Sequence, residues 1–178
     1  MHPHRSVLAA AVVFAAIVGA ARGADAWQDI AGAIARKDYA SAHRLLEPLA
    51  EAGDARAQTQ LATLYYHGRG VTESDAQAVV WYDRAARQGH LPAMVLLGHM
   101  YAFGHATVPD GYDRMHLAAQ WYFEAARKGD ADAQYALGVL FLTGSGVQQN
   151  RNEARRWLTR AARQGHADAK AYLSGRAR

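Results

Sequence analysis

Three stretches of this chain repeat one another, each running from an aromatic residue through an alanine pair to a glycine: Trp81 to His90, Trp121 to Asp130 and Trp157 to His166. The tryptophans stand 40 and then 36 residues apart. A period of that length marks stacked supersecondary units, none of which can bury its apolar face without a neighbour. Arrays of this kind present long surfaces that bind rather than catalyse.

Aligned on these copies, the chain divides into units 55–90, 91–130 and 131–166. Each unit opens with a helical pattern, over Ala57 to Tyr66, Ala93 to Ala102 and Ala133 to Leu142, with apolar residues three to five apart. The position of Ala62, Gly98 and Gly138 is small each time. Glycine inside a helix costs about 1 kcal/mol relative to alanine, so its reuse predicts a close approach by a neighbouring helix backbone. The expected neighbour is the second helix of the same unit, through its alanine pairs Ala85-Ala86, Ala125-Ala126 and Ala161-Ala162.

Second helices are expected over Ser74 to Gln88, Arg114 to Lys128 and Asn150 to Gln164, with Trp81, Trp121 and Trp157 as core ridges. The turns Gly68-Arg69-Gly70-Val71 and Gly144-Ser145-Gly146-Val147 lack the preceding strand and following Lys-Ser/Thr of a phosphate loop. They read as helix ends with a left-handed glycine. Before the first unit, Trp27 to Ala35 and Asp38 to Glu51 form a further hairpin, in which Pro48 should bend the second helix or open a turn. After the last unit, Ala167 to Leu173 begins one more first helix. The middle unit carries four extra residues, and its enlarged turn, Gly104 to Asp113, is either a recognition loop or neutral length variation.

Several motifs together carry a resemblance: Ala133-Gln134-Tyr135-Ala136-Leu137-Gly138, Gly144-Ser145-Gly146-Val147, Ala154 with Trp157, and Ala161-Ala162-Arg163-Gln164-Gly165-His166. In register over three copies, they are similar to the Sel-like repeat (SLR) family, a branch of the tetratricopeptide (TPR) superfamily. The first hairpin departs from the pattern and resembles a plain tetratricopeptide unit. The resemblance implies an all-α fold, a right-handed α/α superhelical solenoid of helical hairpins whose first helices line a concave adaptor surface. It also implies roles such as exported regulator, envelope adaptor or immunity protein.

The face of each first helix turned away from the core pattern is apolar for a solvent-facing surface. It offers Thr63, Tyr66 and His67, then Val95, His99 and Phe103, then Tyr135, Val139 and Leu142 as protein-binding residues. The enlarged loop adds His105, Pro109 and Tyr112. A few aromatic anchors among polar groups suit a protein interface. The alternative is that some of these residues pack between adjacent helices and never meet a partner.

Residues 1–23 read as an export signal peptide: a basic start, an apolar run of 14 residues from Val7 to Ala20, then small residues around Gly23. That run is short for a membrane span, although an uncleaved inner-membrane anchor facing the periplasm is the alternative. Residues 24–178 are then one solenoid: an atypical hairpin over 25–54, the three units and a partial helix over 167–173. With no cysteine, a lipoprotein tether and any disulfide are excluded. The formal charge of +4, or +2 after cleavage, is too small to imply a nucleic-acid partner. Membrane-surface binding would call for a denser basic amphipathic face.

Nothing in the sequence marks an enzyme. The nine histidines show no short zinc-ligand spacing, although a superhelix could bring His67, His99 and His105 near one another. Ser145, in Gly144-Ser145-Gly146, lacks the residues of a nucleophile elbow. No metal, cofactor or catalytic residue is expected. The functional expectation is a periplasmic adaptor or inhibitor holding a partner protein, either an envelope protein or a secreted effector, on the concave face. An immunity protein neutralising a toxic effector such as a lipase is the alternative, and a hydrolytic enzyme is disfavoured. A neighbouring effector gene would separate immunity from an adaptor role.

Overall fold

A computed structural model describes residues 25–108 and 110–175, and among these it contains only helices and turns. Helix α1 covers 25–35 and is followed by α2 (Tyr39–Glu51), α3 (Ala55–His67), α4 (Asp75–Arg87), α5 (Leu91–Phe103), α6 (Arg114–Arg127), α7 (Ala131–Thr143), α8 (Arg151–Arg163) and α9 (Ala167–Leu173). From α2 onward each helix packs chiefly on its neighbours in the chain, which makes an α/α solenoid of hairpins. The expected signal segment and Pro109 lie outside the described residues.

The helix limits follow from capping chemistry. The residue after each inter-unit glycine starts the next first helix: Asp54 accepts the Ala57 N–H at 2.9 Å, Asp130 that of Ala133 at 2.8 Å, and His166 Nδ1 that of Ala169 at 3.3 Å, whereas His90 makes no side-chain cap before α5 and Pro92 stands in its first turn. Second helices begin on Ser74, Asp113 and Asn150, which do the same for donors otherwise left without a partner. First helices stop at Gly68, Gly104 and Gly144, all left-handed. In the first hairpin, which has no glycine there, Lys37 takes the positive φ of 61° instead. Helix α2 continues through Pro48 to Glu51, although Pro48 has no N–H to donate to the Arg44 carbonyl.

The main core runs through all three units, with Leu97, Leu137 and Tyr82 at most 1% exposed. Such side chains contribute about 1.5–3 kcal/mol each on burial. Two expectations are corrected here. The deepest large residue of each second helix is not the tryptophan but its successor: Tyr82, Tyr122 and Leu158 are buried, whereas Trp81 and Trp121 are half-buried and only Trp157 is enclosed. Arg84 and Arg160 lie over the Trp81 and Trp157 rings, each 4.5 Å from the centroid.

The second correction concerns the helix glycines. A methyl group at Gly98 would stand 2.7 Å from Tyr122 Cε1, and one at Gly138 would stand 2.7 Å from Leu158 Cγ. The notch therefore receives chiefly a large side chain from the second helix, and backbone comes near only at Gly138, where the Ala154 carbonyl would stand 3.4 Å from the methyl. Close backbone approach occurs instead at the second glycine of the turns. A Cβ on Gly70 would overlap the backbone of Tyr39 and Ala40 at the start of α2, and one on Gly146 that of Met115 and His116 at the start of α6. These glycines seat each turn on the preceding unit. In the middle unit Ala106 replaces this glycine, and the neighbouring His105 reaches Asp75, at the start of α4, through a 2.9 Å contact.

Candidate protein-binding face

The exposed side of the first helices is divided into grooves. The largest apolar one, of about 470 Å³, lies between α5 and α7 and is lined by Ala102, Phe103, Tyr135, Val139 and Leu140. Asp132 and His166 stand at its edge. Phe103 is 73% exposed, the most exposed large apolar side chain among the described residues. A smaller groove of about 170 Å³ separates α3 from α5 and contains Tyr66, Leu96, His99 and His105. A third, of about 270 Å³, lies between α7 and α9, with Leu142 and Tyr172 in its walls. Both His99 and Phe103 line the first two, forming the ridge between them.

Most of the residues expected on this face reach it, in different ways. Tyr66 is half-buried, with its ring edge-on to His67 at 4.9 Å and to His105 at 5.4 Å. Tyr135 is stacked on His166 at 4.3 Å with only 19° between the rings, and His166 Nε2 lies 3.4 Å from Asp132. His67, Phe103 and His105 are exposed, as is Tyr112 on the enlarged loop, while Val139 and Leu142 are half-buried. Two residues are spent internally. Val95 is 9% exposed and belongs to the core, because α5 is apolar around most of its circumference. The Thr63 hydroxyl contacts Tyr82 OH at 2.9 Å and donates to the Thr59 carbonyl at 2.9 Å, so it serves the hairpin rather than the surface.

Burial sets the electrostatics of the ridge. It pulls the His99 imidazole below its ordinary range, against the opposing pull of Asp132 and Asp130. It also pushes the Tyr122 phenol up, so that this ring stays neutral beneath the groove. His99 is therefore a neutral, partly enclosed aromatic wall with ring contacts to Phe103 at 6.1 Å and Tyr122 at 5.6 Å. The surface combines an exposed aromatic, an apolar floor and an acidic edge, which suits a side chain inserted from another molecule.

No group of three or more metal-binding side chains converges among the described residues. His99 and His105 share a groove, while His67 meets Tyr66 and does not complete a triad with them. The Ser145 hydroxyl accepts a hydrogen bond from Thr143 at 2.9 Å.

Sequence reasoning missed a buried clamp between units. Gln58 Nε2 donates to the Ala50 carbonyl at 2.9 Å, and its Oε1 accepts from Gln88 at 2.7 Å, linking α2, α3 and the end of α4. Gln134 repeats this, reaching the Ala126 carbonyl at 3.1 Å and accepting from Gln164 at 2.9 Å. The middle unit has Met94 and Lys128 at the two positions. The signal was available: both glutamines recur together and are lost together.

A family model described as the Sel1 repeat matches residues 31–54, 55–90, 91–130 and 131–166, well over half of the chain. The chain belongs to the Sel1 repeat family. The first hairpin, expected to look more like a plain tetratricopeptide unit, is matched by this same model over residues 31–54, so its missing glycine turn is a variation inside the family. The Sel1 repeat fold recurs in a protective antigen present in uropathogenic Escherichia coli strains, with TM-score 0.66, 36% identity, and coverage of 75% of this chain and 29% of that one. A Sel1 repeat protein from Oxalobacter formigenes gives TM-score 0.64 and 37% identity over 73% of this chain and 95% of the other. Protein sel-1 homolog 2 of Mus musculus is 34% identical over 81 residues, 46% of this chain and 12% of the mouse protein. The chain thus spans a small part of the mouse relative and under a third of the E. coli antigen. Sel1 repeats form a scaffold for protein–protein contacts. Among the described residues no helix is long and apolar enough to cross a membrane.

Proposed function

We propose that this Sel1 repeat chain is an exported adaptor or inhibitor that holds a segment of a partner protein in the groove between α5 and α7. The observation that carries the reading is Phe103, left 73% exposed beside an apolar groove of about 470 Å³. Leaving so large an apolar ring in water forgoes about 1.5–3 kcal/mol of burial, which a partner would recover. Tyr135 and Val139 supply the opposite wall, and Asp132 an acidic edge that favours a basic group on the incoming segment. Tyr112, 61% exposed on the enlarged loop that follows Phe103, offers a further aromatic contact for such a partner. An exported location rests on the leader-like residues 1–23.

The test is a pull-down from periplasmic extract comparing the unmodified chain with Phe103→Asp. Phe103→Asp should leave the helical circular dichroism unchanged, because the ring is exposed, and should abolish recovery of the partner. Undiminished recovery by a folded variant would refute the reading.

A further inference from the structure

Helix α8 differs from the other second helices in its outward chemistry. Arg151, Arg155, Arg156, Arg160 and Arg163 are all exposed on it. In α4 the last-turn Arg87 is neutralised by Asp83 at 2.6 Å, and in α6 Arg127 lies 3.8 Å from Glu124. The aligned residues of α8 are Thr159 and Arg160, so both acids are lost and one is replaced by a further cation. Among the described residues only Arg156 of these five forms a salt bridge, to Glu153. Together with Asn152 and Thr159, Arg155, Arg156, Arg160 and Arg163 border an open depression of about 540 Å³.

We infer that this arginine face of α8 is a second docking surface, for an extended acidic segment of a partner protein. The spacing carries the choice of occupant. Arginines four apart on a helix stand about 6 Å apart along its axis. The two rows here are Arg151-Arg155-Thr159-Arg163 and Asn152-Arg156-Arg160. Alternate residues of an extended chain recur every 6–7 Å or so, close to that step. A segment with an acid at every second residue can therefore set successive carboxylates against Arg151 and Arg155, or against Arg156 and Arg160, whose planar guanidinium groups donate to them in pairs of hydrogen bonds.

Other polyanions fit less well. The basic face does not continue onto α6 for a nucleic-acid backbone to follow: α6, whose Phe123 ring lies 6.0 Å from that of Trp157, exposes Glu124. A membrane surface would gain no insertion, since no exposed large apolar side chain lies on α8. The patch is one helix long, and so is the ligand it fits.

The test uses the whole chain and two decapeptides of equal charge, one alternating glutamate with serine and one with its five glutamates at positions one, two, five, six and nine among serines, so that no two lie two residues apart. The alternating peptide should bind at low salt at least about tenfold more tightly than the second peptide, and raised salt should weaken it. Arg155→Glu with Arg163→Glu should abolish this binding. The neutral pair Arg155→Gln with Arg163→Gln should weaken it about tenfold or more while preserving the circular dichroism. Phe103→Asp should leave it unchanged, which separates this surface from the groove. Equal binding of the two peptides, indifference to the arginine variants, or tighter retention of duplex DNA or of phosphatidylglycerol vesicles would overturn the inference.

Discussion

A single methyl group at position 146 would collide with the Met115 carbonyl, and the backbone there already has a φ of 67° that favours glycine. Gly146→Ala should therefore cost about 1–3 kcal/mol or more, read as a lower urea midpoint, because both the conformation and the contact resist it. Partly buried imidazoles give a second expectation at this scale. Burial holds His90 and His99 below the ordinary histidine range, with Asp54 opposing at His90 and Asp130 and Asp132 at His99. Below about pH 6.5 the unfolded chain then binds more protons at these sites than the folded one. Their contribution to stability is present above that pH and is lost as pH falls through the folded values. The urea midpoint should be lower near pH 5.5 than near pH 7.5, and His99→Gln should narrow that difference; an unchanged difference would remove His99 from the account.

At the scale of helices, the glutamine clamp ties three helices at once, and its burial makes it costly to break. Gln134→Met leaves the Ala126 carbonyl without this donor and should destabilise the fold by about 1–3 kcal/mol. Adding Gln164→Lys, which copies the middle unit, should cost less than the sum of the two single changes, as a double-mutant cycle in urea would register. The helices themselves were legible from the chain. Glycine ends, Asp, Ser and Asn starts and the copied tryptophans mark local chemistry, and the observed limits fall within a residue or two of those expected. What the helices do to one another was less legible. That Gly98 receives the Tyr122 ring, whereas Gly146 receives a backbone, depends on inter-helix geometry that the spacing of small residues does not encode. Val95 and Thr63 were assigned to the surface for the same reason, since a periodic pattern ranks faces but cannot tell a half-covered one from an open one.

Across the whole molecule, the repeats supply a continuous core and leave their differences on the surface. The groove between α5 and α7 lies beside the one enlarged turn, and the arginine face lies on the one second helix without a counterpart of Asp83 or Glu124 in its last turns. Chemistry that recurs in every unit maintains the stack; chemistry confined to one unit is where partner selection belongs. The most direct test places a photo-crosslinking residue at Val139, inside the groove, or at Val80, on the outer side of α4, in the otherwise unmodified chain. The account predicts a crosslinked partner from Val139 that disappears when Phe103→Asp is added, and none from Val80. Crosslinking from Val80 alone, or crosslinking from Val139 that is indifferent to Phe103→Asp, would contradict it.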